Sequence, residues 1–481
     1  MTNSDPAPAA AAPPQPIPLR EKIAYGCGAV IETGASSAFG FLANPVYQIT
    51  LGMNPIWVGM VLTVMRIWDA VTDPVMGSIS DNHRSRFGRR RPFIFVGAFL
   101  SALSFPLVWM AAPDWSEGAR LSYFLVTALA YITASTVFSI PYFSLGLERT
   151  PDYHEKTRLW AYRAAVIPII TVTLNWSYAF AQSAVFQNSI EGFRVFAIGF
   201  GLVMLVAGLL PALLVAEGHG PERVAPAKVP LWASAKATLQ CRPFLFIGAT
   251  IFLVIVSSHT MGQLGLYLKL FYVYAGDTKA GAVLGGWVGT VYQAAYLAFV
   301  PLIVRLSVRF GKRNALFICL SCQILGDLSK FISYDPRWPY LVLVTAVMVA
   351  PGAAGMATLL PSMISDLCDW DELRTGTRRE GMFGAITNWL QKVGFSIAGV
   401  LSGTALVWSG FDLKLGGNQA PTTFLWMLFW LCAAPAGCTF LAMLLLRRHT
   451  LTEADAASVR VGLEARRRAT TAVASRRATA R

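Results

Sequence analysis

The sequence predicts an all-α membrane protein of about twelve transmembrane helices, and three observations carry that prediction. Apolar runs of membrane-spanning length recur along almost the whole chain, separated by short polar loops. Of the 481 residues, 55% are hydrophobic and only 14% charged, against about 25% charged in soluble domains. Lipid offers backbone groups no hydrogen-bond partners, so only helices or closed barrels span it. A barrel would show short alternating segments instead.

The candidate spans, in order, are 23–51, 56–79, 93–112, 121–145, 159–181, 196–216, 244–274, 281–304, 315–332, 340–364, 382–408 and 423–446. Segment 1–19 is rich in Ala and Pro, lacks a basic n-region, and reads as a disordered cytoplasmic tail rather than a signal peptide. The longest polar stretch, within 217–240, divides the chain into a six-helix bundle at 20–216 and a second at 241–447. A basic cytoplasmic tail, 448–481, follows. An internal echo supports the division: Arg86-Phe87-Gly88-Arg89-Arg90 follows the second span, and Arg309-Phe310-Gly311-Lys312-Arg313 follows the eighth.

The net charge of +14 raises the question of nucleic acid, but its placement answers it. One set of alternate loops carries 19 Lys and Arg residues and the opposite set carries 5. Such clusters orient a chain against the cytoplasmic leaflet, so both termini are expected in the cytoplasm and the protein in the plasma (inner) membrane. Nucleic acid is excluded as a partner. Most of the seven cysteines lie inside apolar stretches. Cys319 and Cys322 read as buried hydrophobes, with no disulfide framework and no metal site.

Charges inside a span are costly and persist where they act. Span 56–79 carries Arg66, Asp69 and Asp73, whose spacing puts them on one helical face with the carboxylates about 6 Å apart along the axis. Two acids on one face repel unless a cation, a proton or a base lies between them. Arg66 is one candidate neutraliser. Lys392, deep in span 382–408, is the other, and is expected to reach the aspartates across the two halves. Carboxylates with hydroxyl oxygens are hard-cation chemistry, suited to Na⁺ or to H⁺ on one acid. Thr72 and Thr136 are the candidate hydroxyls. Glu32, Arg163, Asn175, His259 and Gln293, with aromatics such as Trp68, Tyr142, Phe143, Trp176 and Trp389, are candidates to line a solute cavity, although each alone is ordinary packing.

The strings Arg66-Ile67-Trp68-Asp69-Ala70-Val71-Thr72-Asp73-Pro74 and Ser85-Arg86-Phe87-Gly88-Arg89-Arg90-Arg91-Pro92 resemble the glycoside–pentoside–hexuronide:cation symporters, the melibiose-carrier branch of the major facilitator superfamily. Asp366-Leu367-Cys368-Asp369-Trp370, Arg374 to Gly381 and Lys392 extend the resemblance into the second half. It implies a major-facilitator-type bundle of 12 transmembrane helices in two six-helix halves. The implied activity is cation-coupled symport (Na⁺ or H⁺) of a sugar or glycoside by alternating access. It assigns the cation site to Asp69, Asp73, Thr72 and Thr136, with Lys392 and Arg66 as charge partners. The implied solute contacts are Arg163, Glu32, Thr33, Ser139, Phe143 and Asn388. Two acids of melibiose carriers are replaced here by Thr33 and Ser139, which argues against a melibiose-like galactoside. A cytoplasmic gate is expected from Asp81, Arg89, Arg90, Asp366 and Arg378. The expected partners are the small solute and the lipid bilayer, with no obligate protein partner and no cofactor beyond the coupling ion. A carrier of a lipid-like solute is the rival within transport. A membrane sensor or an enzyme is disfavoured, for want of a soluble domain or a catalytic cluster.

Overall fold

The computed structural model describes residues 17–150, 153–217, 238–375, 380–448, 458–459 and 462. Its long elements are all helical. Helices α1 (Leu19–Cys27) and α2 (Ala29–Ala43) form one rod that continues through a π-helical stretch, Asn44–Thr50. Then come α3 (Pro55–Asn82), α4 (Arg91–Val108), α5 (Glu117–Glu148), α6 (Tyr153–Asn175), the short α7 (Ser177–Ala181) and α8 (Ser189–Leu214). The later part of the chain gives α9 (Arg242–Tyr267), prolonged by π-helical Leu268–Val273, and α10 (Thr278–Phe310). It ends with α11 (Lys312–Ser333), α12 (Val342–Thr375), α13 (Glu380–Trp408) and α14 (Pro421–Arg447). Among the described residues, eleven stretches are long and apolar enough to cross a bilayer. The interrupted rod from Leu19 to Thr50 makes the twelfth, at the place where the sequence expects the first span.

Local chemistry sets the ends. Asn54 caps α3 by accepting the Ile56 N–H at 2.9 Å, and Pro55 occupies the first turn, where its missing N–H costs nothing. Ser116, Asn188 and Asp277 cap α5, α8 and α10 in the same way. At Gly28, where α1 gives way to α2, the Tyr142 ring packs against the backbone, and a methyl group there would sit 2.3 Å from it.

Two expectations are corrected. Ile17, placed in a disordered tail, is buried and its N–H donates to Glu155 Oε2 at 3.0 Å. The acids Asp366, Asp369, Asp371 and Glu372, expected in a loop beyond 364, stand on the last turns of α12. Falling hydropathy marks where lipid contact ends, not where the helix ends.

The two halves meet along α3 with α13, and along α6 and α7 with α10. The seam is made by residues without side chains. A methyl group on Gly403 would lie 2.9 Å from the Pro55 carbonyl oxygen, and one on Gly59 3.0 Å from that of Gly399. Gly286 takes the Trp176 ring and Gly289 the Asn175 amide, while Trp176 Nε1 donates to Thr290 Oγ1 at 2.9 Å. Tyr267 adds a hydrogen bond to Gln48 at 3.1 Å. All these contacts lie toward the end of the bundle opposite the chain termini. There one apolar core runs through the first half and on into Tyr267, Phe271, Leu284, Leu406 and Phe424 of the second. A separate core, with Phe244, Leu316, Phe383 and Leu446, stays within the second half. The bundle is sealed at that end.

Candidate cation and solute site

Midway along α3, Arg66, Asp69 and Asp73 follow one another at three and four residues, and Pro74 cannot supply the helical N–H to the Ala70 carbonyl. The carboxylates face α13, 319 residues away in sequence. Lys392 Nζ lies 2.9 Å from Asp69 Oδ2 and also donates to Asp73 Oδ2. On the other side Thr136 of α5, buried, directs its hydroxyl at Asp69 Oδ1 (3.3 Å) and Asp73 Oδ1 (3.4 Å). The structure therefore brings together four of the sequence-derived residues. Thr72 behaves differently: its hydroxyl donates to the Trp68 carbonyl at 3.1 Å, along its own helix. Arg66 lies over the Phe395 ring, 5.5 Å from its centre.

Two carboxylates with one ammonium leave one negative charge uncompensated. The ammonium also occupies the oxygens that a small cation would use. The arrangement can hold either the lysine or a hard cation at full strength, and that competition is its chemical capability.

A second cluster forms where α2 meets α6. Arg163 Nη2 lies 2.6 Å from both Glu32 oxygens and Nε 3.2 Å from one, a forked ion pair with Thr33 donating to Glu32 Oε2 at 3.1 Å. The guanidinium sits 5.1 Å over the Trp160 ring, and Phe143 meets Trp160 edge-on at 5.0 Å. Tyr25 stacks on Tyr142 next to the same tryptophan. Ser139 is 3.5 Å from Ser135, and Asn388 is exposed one turn before Lys392 on α13. Of the solute residues, then, Arg163, Glu32, Thr33 and Phe143 share one polar and aromatic wall. Ser139 stands one turn before Phe143 on α5, and Asn388 lies on α13 of the other half.

The charges at the terminus-bearing end pair within each half. Arg89 and Arg90 both reach Glu148, at 2.7 and 2.9 Å, and Arg90 also donates to Ser80. Burial alone would raise the Glu148 carboxyl, but the hydrogen bonds and charges of Arg90 and Arg89 hold it below the usual carboxylate range. Glu217 accepts the N–H groups of Arg89, Arg90 and Arg91 at 2.7, 2.7 and 2.8 Å, capping α4. Gly88, at φ +104°, permits that approach. In the second half Gly311, at φ +80°, precedes Lys312, which pairs with Asp366. The repeated string thus builds one latch twice: a glycine at positive φ, then a base bound to an acid in the last turns of the fourth span of its half, Glu148 on α5 and Asp366 on α12. Asp366, expected to pair with the Arg374 to Arg379 segment when this side closes, is ion-paired with Lys312. The Asp81 side chain and all of Arg378 lie outside the described residues.

Reading the sequence missed Glu148, Glu217, Trp160, Phe395 and the seam glycines. Only the glycines left a signal, the small residues at helical spacing in Gly399 and Gly403 and in Gly286 and Gly289.

Fold and site define a multi-pass membrane protein of the major-facilitator type with a charged centre between its halves. The chain belongs to the MFS/sugar transport protein family, whose model matches residues 24–453. It is 24% identical to the glucuronide carrier protein homolog of Escherichia coli (strain K12) over 460 residues, covering 94% of this chain and 97% of that protein. It is 23% identical to the putative glycoside/cation symporter YagG of the same organism, covering 91% and 93%. Among solved structures, a D-xylose-proton symporter superposes with a TM-score of 0.61 at 14% identity, covering 90% of this chain and 98% of that one.

Proposed function

We propose that the protein is a secondary active transporter that couples inward movement of a sugar or glycoside to a cation. The observation that carries this reading is Lys392 of one half held by Asp69 and Asp73 of the other. A cation bound at the aspartates releases the lysine and so changes a contact between the halves, which is what coupling an ion to alternating access requires. Na⁺ is favoured slightly over H⁺, because Thr136 adds a neutral oxygen to both carboxylates. The termini lie in the cytoplasm, the membrane is the plasma (inner) membrane, and the sealed end faces outward. An inside-negative potential then contributes about 2.3 kcal/mol per charge per 100 mV to uptake. The E. coli relatives named for a glucuronide and for glycosides with cations support a sugar solute. The forked Arg163–Glu32 pair with its hydroxyl and aromatic neighbours favours a sugar over a lipid-like solute.

The test is cation-driven uptake in proteoliposomes. Asp69→Asn and Asp73→Asn should each abolish accumulation while the protein still inserts. Accumulation at the wild-type level in both variants would overturn the assignment.

A further inference from the structure

We propose that the repeated Arg-Phe-Gly string builds a binding site for an anionic phospholipid on each half. Arg86 and Arg309 meet the headgroup phosphate, and Phe87 and Phe310 lie at the acyl boundary below it. The proposal concerns neither the solute nor the coupling ion, and it stands whatever these are.

Charge is the first argument, and it divides at the glycine. After Gly88 and Gly311 the bases are committed, Arg89 and Arg90 to Glu148 and Lys312 to Asp366. Glu217, the other acid beside Gly88, is held by the backbone N–H groups of Arg89, Arg90 and Arg91. Before the glycines the bases are exposed, and among the described residues neither Arg86 nor Arg309 has a carboxylate partner. Each lies instead over the ring of the phenylalanine that follows it. The distances to the ring centres are 4.8 Å for Arg86 on Phe87 and 5.3 Å for Arg309 on Phe310. A ring carries no net charge, so each guanidinium keeps its full charge for an outside anion.

Position is the second argument, and it is independent of charge. Phe87 is 63% exposed and Phe310 46%. A single exposed phenylalanine is ordinary, but the same ring under the same base recurs at the matching place in each half. Phe87 stands just ahead of α4, and Phe310 just ahead of α11. Along α4 the exposed side carries Val96, Phe99, Leu103 and Leu107, and along α11 Ile318, Leu325, Leu328 and Ile332. Large apolar side chains left exposed at helical spacing mark the faces turned to lipid. Both helices pack chiefly within their own half, α4 on α5 and α8, and α11 on α12 and α14. The Arg-Phe pairs therefore stand at the rim of the bundle, where a lipid-facing stripe reaches the terminus-bearing end. On the orientation above, that end meets the leaflet rich in anionic lipid. A base at headgroup level with a ring beneath it matches a phospholipid at both ends, whereas a free phosphate has no use for the ring.

The test is native mass spectrometry of the full chain in detergent, titrated with dioleoyl phosphatidylglycerol and, separately, with dioleoyl phosphatidylcholine. The wild type should prefer phosphatidylglycerol about fivefold at each of two sites. Arg86→Gln and Arg309→Gln should each abolish the preference at one site, and the double variant at both. Arg86→Lys and Arg309→Lys, which keep the charge, should retain most of it. Phe87→Ala with Phe310→Ala should weaken retention of both lipids alike and leave their ratio unchanged. Inorganic phosphate in excess should displace neither lipid. Equal binding of the two lipids by the wild type overturns the proposal. A ratio unchanged in the double glutamine variant overturns the assignment to these arginines, and a ratio lost equally in the lysine variants overturns the charge argument. Displacement of phosphatidylglycerol by inorganic phosphate overturns the lipid as occupant.

Discussion

Replacing Gly403 by alanine puts a methyl group 2.9 Å from the Pro55 carbonyl oxygen, 3.2 Å from its carbon and 3.5 Å from the Ile56 Cα. Ordinary contact begins at 3.4 Å, so α3 and α13 must separate by about 0.5 Å. All three atoms are backbone, and no side chain can rotate away. Overpacking of this kind costs about 1–3 kcal/mol, and it falls only on the state in which this end of the bundle is sealed. The equilibrium should therefore move about 5- to 150-fold toward the state open at that end. The assay is the rate at which a membrane-impermeant maleimide labels Thr63→Cys, in a chain whose seven native cysteines have been replaced. Thr63 is suited to this because its hydroxyl bonds the Ser396 carbonyl across the seam at 3.3 Å. Labelling should rise at least about fivefold in Gly403→Ala. Gly437→Ala is the control, since a methyl group there meets nothing within 4 Å. Equal labelling of Gly403→Ala and the glycine parent would refute the steric argument.

Three further outcomes follow from the same contacts. Thr136→Val removes the hydroxyl shared by both aspartates and should raise the cation concentration for half-maximal uptake about three- to tenfold, with insertion unchanged; an unaltered cation dependence counts against a ligand role. Glu217→Gln weakens three hydrogen bonds to the start of α4 and should cost about 1.5–3 kcal/mol, read as a lower midpoint in thermal unfolding in detergent. The hydrogen bond from Lys22, against the opposing pull of burial and helped by the Ile17 N–H and Arg158, holds the Glu155 carboxyl down at about 2. Its contribution is therefore complete above the ordinary value of 4.5 and is lost as pH falls toward 2. The unfolding midpoints of wild type and Glu155→Gln should converge over that interval, and a constant gap would show that Glu155 is not the group responsible.

The parts of the site legible in the sequence are those where lipid makes charge expensive. Asp69, Asp73 and Lys392 stand out for that reason, and the ammonium found its acids across 319 residues because few other deep charges compete for it. Glu32 and Arg163 were each legible as polar groups in a span, but their forked pairing is a tertiary fact that no spacing encodes. Glu148 and Glu217 were invisible because an acid at a helix end looks like any solvated residue until the backbone N–H groups or arginines it meets are known. The acids from Asp366 to Glu372 were misplaced because hydropathy reports lipid contact and is silent on a helix running on into water. The seam glycines follow the small-residue spacing of close helix pairs, but 40 glycines in the chain offer many such spacings. Only packing selects Gly59, Gly286, Gly289, Gly399 and Gly403.

Lys392 resting on both aspartates has a consequence for the return stroke of the cycle. A carrier that has released its ion must reorient empty, and two bare carboxylates at the centre of the bundle would make that passage slow. On the proposed cation site the tethered ammonium takes the place of the departed ion, so the empty protein would travel with one of its two central carboxylate charges already offset. Lys392→Ala should therefore spare exchange of labelled for unlabelled solute, in which the binding site never empties. It should suppress net efflux, which depends on the unloaded protein turning round.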